Sequence, residues 1–190
     1  MEAFFISLSA VAVAEIGDKT QLLALVLAAR FRKPLPIIAG IFVATIVNHA
    51  LAAELGILIA GWLTPQILHW ILGVSFVAAG IWMLIPDKAD DLDSNAASRF
   101  GPFVTTTIAF FLAEMGDKTQ LATIGLAARF HDLIAVAAGT TIGMMIANVP
   151  AVILGDVAAK ALPMQLVRGT AATILVVLGV VTLLEVTGLV

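Results

Sequence analysis

Apolar residues dominate the chain in six long stretches, which short polar or proline-containing segments separate. The stretches cover residues 3–29, 35–62, 66–85, 102–128, 133–161 and 163–188. Each is long enough for a helix that crosses a bilayer, which needs about 20 mostly apolar residues. The proline and polar breaks between them are typical of helix ends. The pattern predicts an all-α integral membrane protein with six transmembrane helices.

The chain repeats itself at an offset of 99 residues. Residues 14–31 and 113–130 are identical at 13 of 18 positions, and Gly40 pairs with Gly139 at the same offset. The predicted helices divide into one half at 1–86, an acidic cytoplasmic linker at 87–101, and a second half at 102–190. Because each half has three helices, the second half enters from the opposite side. The sequence therefore predicts two inverted-topology three-helix repeats, an architecture typical of secondary transporters.

Composition supports the membrane interpretation. The chain has 190 residues, of which 61% are hydrophobic and 12% charged. An ordinary soluble domain is about half apolar and about a quarter charged. The net charge of −3 gives no indication of a nucleic-acid partner, and the absence of cysteine excludes disulfides and thiolate metal sites. We interpret the apolar N-terminus as the first helix rather than a removed signal peptide.

Basic residues are unevenly distributed over the predicted loops. Seven lie in the loops on one side, against Arg129 alone on the other. These seven are Arg30, Arg32, Lys33, Lys88, Arg99, Lys160 and Arg168. Because basic residues are retained in the cytoplasm, both termini are predicted to lie outside.

The motif Ala-Glu-x-Gly-Asp-Lys-Thr-Gln occurs once in each half, near the middle of the first and fourth predicted helices. A charge at that depth costs at least ~2.5–3.5 kcal/mol and normally faces the protein interior or a wet cavity. The two copies together place six charges there: Glu15, Asp18, Lys19, Glu114, Asp117 and Lys118. So many buried charges indicate a functional site.

Helical spacing suggests how one copy of the motif could bind an ion. On a continuous helix Asp18 lies about 60° from Glu15, and Gln21 lies about 60° further on. The second copy would add Glu114, Asp117 and Gln120, so the two repeats would offer four carboxylates and up to two amide oxygens. Such an oxygen set suits a hard or borderline divalent ion such as Mn²⁺, Ca²⁺ or Mg²⁺.

The charges of the motif predict proton coupling. Four carboxylates and the two balancing ammonium groups of Lys19 and Lys118 sum to −2, which one divalent cation would neutralise. Carboxylates crowded in a low dielectric take up protons when no metal is bound. Metal and proton would then compete for the same oxygens of Glu15, Asp18, Glu114 and Asp117, which is a physical basis for cation/proton exchange.

Other motif residues are assigned supporting roles. Gly17 and Gly116 permit a kink or a close helix crossing, and an opened turn there could lend carbonyl oxygens to the ion. Thr20 and Thr119 complete the motif. As an alternative, Glu15–Lys19 and its counterpart Glu114–Lys118, both at i, i+4 spacing, could be structural ion pairs, which would leave both aspartates unexplained.

Polar residues in the second and fifth predicted helices have two interpretations each. Asn48 and Asn148 could support the site or form interhelical hydrogen bonds. His49 is a satisfied polar residue or a proton relay. Glu54 and Asp156 lie closer to helix ends and are predicted to be interfacial.

The duplicated motif resembles the GDT family of cation/proton exchangers, which includes MneA-type bacterial manganese exporters and Golgi calcium/manganese antiporters. The resemblance covers nearly the whole chain. The family's motif residues correspond to Glu15, Gly17, Asp18, Lys19 and Thr20, then Glu114, Gly116, Asp117, Lys118 and Thr119. It implies export of Mn²⁺, or exchange of Ca²⁺ or Mn²⁺ for protons, across a bacterial plasma (inner) membrane. The expected partners are a divalent metal ion, protons and the lipid bilayer, with no cofactor and with a homo-oligomer left open.

Three other functions are compatible with the motif. An exporter of amino acids or other small solutes could use the lysines to bind a substrate carboxylate. An intramembrane aspartyl enzyme could use Asp18 and Asp117 as a dyad, but both glutamates and both lysines would lack a role. A structural subunit would need a partner that satisfies the buried charges. The residues alone do not distinguish Mn²⁺ from Ca²⁺, since both accept oxygen ligands.

Overall fold

The computed structural model describes residues 1–84, 100–154 and 164–187, and its regular structure in these ranges is entirely α-helical. The eight helices found there are α1 Glu2–Glu15, α2 Lys19–Phe31, α3 Pro34–Trp62, α4 Pro65–Met83, α5 Gly101–Glu114, α6 Lys118–Phe130, α7 Leu133–Leu154 and α8 Met164–Thr187. Most of the predicted linker, including its acidic cluster, lies outside the described residues, and so does Asp156.

Two of the described helices are both long and apolar enough to cross a membrane unaided. These are α3, with 29 residues, and α7, with 22 residues. They correspond to the second predicted helix and to the described part of the fifth. An all-helical chain with such helices is consistent with an integral membrane protein.

The first and fourth predicted helices are each divided in two by the motif. Helix α1 ends at Glu15 and α2 begins at Lys19, while α5 ends at Glu114 and α6 begins at Lys118. The prediction of a continuous helix through the motif was therefore wrong, and the angle of about 60° between the first glutamate and aspartate does not apply. The opened turn at the motif glycine, given above as an alternative, is what the structure contains.

The motif itself encodes this break. Gly17 and Gly116 have φ of 82° and 74°, a backbone conformation that favours glycine. The N–H of Gly17 donates to Oε1 of Gln21 at 2.9 Å, and the N–H of Gly116 donates to Oε1 of Gln120 at 2.7 Å. The aspartate after each glycine has the extended backbone of a residue that precedes a helix. Glycine, aspartate and glutamine thus act together to end one helix and begin the next.

Equivalent residues of the two halves make equivalent contacts. Gly40 of α3 lies against the carbonyl of Phe103 and the side chain of Thr106 in α5. At the same offset of 99, Gly139 of α7 lies against the carbonyl of Phe4 and against Ser7 in α1. A Cβ added to either glycine would meet backbone closer than side chains tolerate. The glycines therefore permit the close crossing of α3 with α5 and of α7 with α1.

One hydrophobic cluster lies on each side of the two helix breaks. The larger cluster unites α1 and α6 with the end of α3, the start of α7, and both α4 and α8. The smaller cluster unites α2 and α5 with the start of α3 and the end of α7. Helices α3 and α7 run through both clusters, whereas each broken segment belongs to one. The motif therefore lies at the boundary between the two clusters.

Replacement of Gly116 by Ala tests whether the break depends on the glycine backbone. A Cβ at this position would meet nothing within 4 Å, so the cost is that of a left-handed backbone, about 1–2 kcal/mol. We expect a lower unfolding temperature in detergent for Gly116→Ala, and a smaller loss for Gly116→Asn, since asparagine tolerates this conformation. The matched control is Gly61→Ala in α3, where a Cβ also meets nothing and φ is not positive. An equal loss in the control would contradict the argument.

Candidate functional site

Carboxylates from the two halves converge at the helix breaks. One oxygen each from Glu15, Glu114 and Asp117 lies within 4.8 Å of the others, and all three side chains are buried. Asp18 is buried as well. The structure thus brings residues that are about 100 positions apart in the sequence into one cluster, as the duplicated motif predicts.

Each glutamate of the cluster has one oxygen fixed by a threonine. The hydroxyl of Thr20 donates to Oε2 of Glu15 at 2.7 Å, and the hydroxyl of Thr119 donates to Oε2 of Glu114 at 3.2 Å. The other oxygen, Oε1, is buried in both glutamates and has no hydrogen-bond partner in the described part of the chain. A buried carboxylate oxygen without a partner is unfavourable, and a bound cation or a proton would remove that cost.

The lysines pair with aspartates of the opposite half. Nζ of Lys19 lies 2.9 Å from Oδ1 of Asp117, and Nζ of Lys118 lies 3.8 Å from Oδ1 of Asp18. These two ion pairs join the halves, and the pairing of each lysine with the glutamate four residues earlier stays an alternative prediction. The exchanged pairs bind the two halves together and place an ammonium group beside the carboxylates, where it partly balances their charge.

The two lysines have different surroundings. The side chain of Lys118 is only 2% exposed, and its Nζ lies 5.9 Å from the centre of the Trp82 ring. The side chain of Lys19 is 24% exposed. Residues that are equivalent in sequence therefore differ in access to the outside of the protein.

The glutamines of the motif have a structural function. Besides accepting from Gly17, Gln21 donates from Nε2 to the carbonyl of Ala147 at 3.1 Å, which attaches the first break to α7. A carbonyl oxygen has two lone pairs, so the Oε1 that accepts from glycine keeps one for a second partner. Ligation of an ion by Gln21 or Gln120 stays a prediction.

The polar residues of α3 and α7 do not bond to the motif in the described hydrogen bonds. Nδ2 of Asn48 donates to the carbonyl of Phe111 in α5 at 3.0 Å, which favours the interhelical interpretation. Nδ2 of Asn148 donates to the carbonyl of Met144 in its own helix at 3.1 Å. His49 is buried, and neither ring nitrogen has a hydrogen-bond partner within the described ranges. Glu54 is exposed, consistent with an interfacial position.

Three features of the site were missed by sequence reasoning. These are the exchange of lysine partners between halves, the threonine donors, and the cover of Trp82 over Lys118. A threonine follows each motif glutamate by five residues, which was a usable signal. It could not be interpreted because a continuous helix directs residues i and i+5 to different faces. Only the break brings them together.

Comparison with known proteins identifies the family. The sequence profile of the family described as "Divalent cation/proton antiporter GDT1" matches residues 3–91 and 102–188, which leaves out only residues 92–101 of the linker and the chain ends. A Vibrio cholerae protein named "Putative manganese exporter" is 52% identical over 183 residues, covering 96% of this chain and 90% of that protein.

Plant proteins are similar over most of their length as well. "GDT1-like protein 4" of Oryza sativa subsp. indica is 30% identical over 91% of this chain and 68% of its own. "GDT1-like protein 5" of Arabidopsis thaliana is 29% identical over 97% of this chain and 96% of its own. No solved structure matches significantly. The two-part match to the profile and the similarity to these relatives show that the chain belongs to the GDT1 family of divalent cation/proton antiporters.

Proposed function

We propose that this chain exports divalent cations, Mn²⁺ before Ca²⁺, across the bacterial inner membrane in exchange for protons. The observation that carries the proposal is the convergence of carboxylate oxygens from both motif copies within 4.8 Å. The printed name of the Vibrio cholerae relative favours Mn²⁺. An enzymatic role has no support, because the family is one of transporters.

The proposed architecture has six spans in two inverted three-helix halves. In it, α1 with α2 and α5 with α6 form two discontinuous spans, and the other four helices are continuous. Two observations support this arrangement: the equivalent glycine contacts at the offset of 99 and the exchanged lysine–aspartate pairs. Broken helices that meet at the midplane are typical of inverted-repeat transporters, where the freed helix ends and side chains bind the ion.

In the proposed binding step, the cation takes the place of the lysine ammonium groups. Oε1 of Glu15 and Oε1 of Glu114 are buried without partners, and they supply the first two ligands. Asp18 and Asp117 become ligands when Lys118 and Lys19 move away. The glutamines complete an oxygen shell of the kind that Mn²⁺ and Ca²⁺ accept.

In the proposed release step, protons replace the metal ion. A cluster of four buried carboxylates with two ammonium groups carries a charge of −2, and it is unstable in a low dielectric unless a cation or protons bind. Protons that arrive from outside occupy the glutamate oxygens and weaken the cation site. Because the metal ion and the protons bind the same oxygen atoms, they exclude one another. The entry of protons can therefore drive the export of the metal ion.

Transport in proteoliposomes tests the function. We expect uptake of Mn²⁺ that is accelerated by a pH gradient and that moves protons in the opposite direction. Glu114→Gln and Asp117→Asn remove a charged ligand, so each should lower the rate on the order of 10-fold or more, since about 1.4 kcal/mol of lost binding is a factor of ten. Glu54→Gln, at an exposed carboxylate, is the matched control and should transport normally. A Mn²⁺ flux that is independent of the pH gradient would contradict proton exchange.

Competition between Mn²⁺ and Ca²⁺ in the same vesicles tests the order of preference. We expect Ca²⁺ to slow Mn²⁺ uptake only when it is in excess. Equal inhibition at equal concentration would overturn the preference for Mn²⁺ without affecting the exchange mechanism.

The proposed orientation is tested by labelling of single cysteines in intact cells, since the natural chain has no cysteine. A membrane-impermeant maleimide should label Glu2→Cys, at the predicted outer end of α1. Lys33→Cys, in the basic loop before α3, should react only after the cells are permeabilised. Both residues are exposed, so access to the reagent decides the result. The opposite pattern would reverse the orientation.

A further inference from the structure

Helices α4 and α8 cover only one end of the molecule. They pack closely on each other, with Gly80 of α4 near the carbonyl of Ala172 and Gly179 of α8 near the carbonyl of Gly73. Among the side chains that the structure describes, this pair, the α4–α8 layer, contributes to the larger hydrophobic cluster and not to the smaller one. The two halves are equivalent in sequence, so symmetric packing would place the layer equally on both clusters.

The contacts of the layer show the same asymmetry. In the described ranges, α4 packs on α6 and α8 packs on α1, with no comparable contact of α4 with α5 or of α8 with α2. The contact with α6 depends on Gly125, where an added Cβ would lie 2.9 Å from Cε1 of Phe76. The residue equivalent to Gly125 is Val26 of α2, which is 48% exposed. The α6 surface thus admits the layer, and the α2 surface is bulkier and uncovered.

An ion pair attaches the layer to α6 at the end of the molecule formed by α1 and α6, which we call the covered end. Nη2 of Arg129, in the last turn of α6, lies 2.9 Å from Oε1 of Glu185 in α8, and Nη1 donates to the hydroxyl of Thr182. The equivalent of Arg129 in the first half is Arg30. The positions equivalent to 182 and 185 hold Met83 and Pro86, which have neither a hydroxyl nor a carboxylate. These two positions therefore cannot supply the partners that Arg129 has in α8.

The lysines of the site follow this asymmetry. Lys118 begins α6 at the covered end, and Trp82 of α4 lies over it. Lys19 begins α2 and is partly exposed. The residue equivalent to Trp82 is Val181, which is 38% exposed and too small to form a similar cover.

We infer that the site opens toward the end formed by α2 and α5. The contacts of Arg129 with Glu185 and Thr182, which we call the Arg129 clamp, close the opposite end. An arriving cation therefore displaces Lys19 first. Displacement of Lys19 frees Asp117 as a ligand while Lys118 stays covered. This inference rests on the proposed transport function. In the proposed orientation the open end is cytoplasmic, as an exporter needs for loading. Release outside then requires the α4–α8 layer to leave α6 and α1 and to pack on α2 and α5.

Pairs of cysteines can report which end is closed, because the natural chain has none. The first pair, Phe76→Cys with Gly125→Cys, joins α4 to α6 at the covered end, and removal of the phenylalanine ring makes room for the second thiol. The matched control pair is Leu175→Cys with Val26→Cys, at the equivalent positions of α8 and α2. Each pair is placed in the full chain in membranes and treated with a short thiol cross-linker, without metal.

We expect rapid cross-linking of the first pair and slow cross-linking of the control pair. Addition of Mn²⁺, with a lower pH on the outer side of the membrane, should raise the yield of the control pair. Under these conditions transport turnover populates the other conformation. Equal yields for both pairs without metal, or a higher yield for the control pair, would overturn the inference.

Variants of the clamp test its contribution. Arg129→Gln and Glu185→Gln should each lower the rate of cross-linking of the first pair by about threefold to tenfold. This is the change expected when the layer loses one charged, hydrogen-bonded side-chain pair. Arg30→Gln, the equivalent change in the first half, should leave this rate unchanged. Identical rates in all three variants would show that the clamp does not hold the layer.

The cross-linking result is independent of whether Mn²⁺ is the substrate. A chain that cross-links asymmetrically but fails to exchange Mn²⁺ for protons would refute the proposed function and leave the closed end established. A chain that exchanges Mn²⁺ normally but cross-links both pairs equally would refute the present inference alone.

Discussion

Six charged side chains placed among apolar helices must be balanced by one another, and this requirement organises the molecule. The lysine of each half pairs with the aspartate of the other half. Removal of one partner would leave an uncompensated buried charge, which is far costlier than loss of a surface pair. The halves therefore stabilise each other, and their association brings carboxylates of both motif copies together.

The break in each motif helix makes this association possible. A continuous helix would direct the glutamate and the threonine to different faces. The positive φ of Gly17 and Gly116 breaks the helix and turns both side chains toward a common centre. Within each break, the N–H of the glycine donates to the glutamine four residues later, and the N–H of the aspartate donates to the carbonyl of the glutamate three residues earlier. The same eight residues thus specify the backbone break, the buried carboxylates and the ammonium groups that partly balance them.

Much of the site was predictable from the sequence, and the reasons for the exceptions are physical. Repetition of the motif predicted that Glu15 and Glu114 would meet, and burial of charge predicted a binding role. The pairing of Lys19 with Asp117 was not predictable, because spacing along one helix says nothing about which half supplies the partner. Helical periodicity also failed at Gly17, since its tolerance of positive φ permits a break without requiring one.

The difference between Gly125 and Val26 has a consequence for the relative energies of the two conformations in the proposed cycle. A protein built from two copies of the second half would carry the narrow glycine surface, the arginine and the glutamate at both ends, so its two conformations would be equal in energy. Divergence at a few positions outside the motif removes that degeneracy and leaves the chemistry of the site unchanged. In the proposed transport cycle, the differences between α2 and α6 therefore make one of the two conformations the resting one.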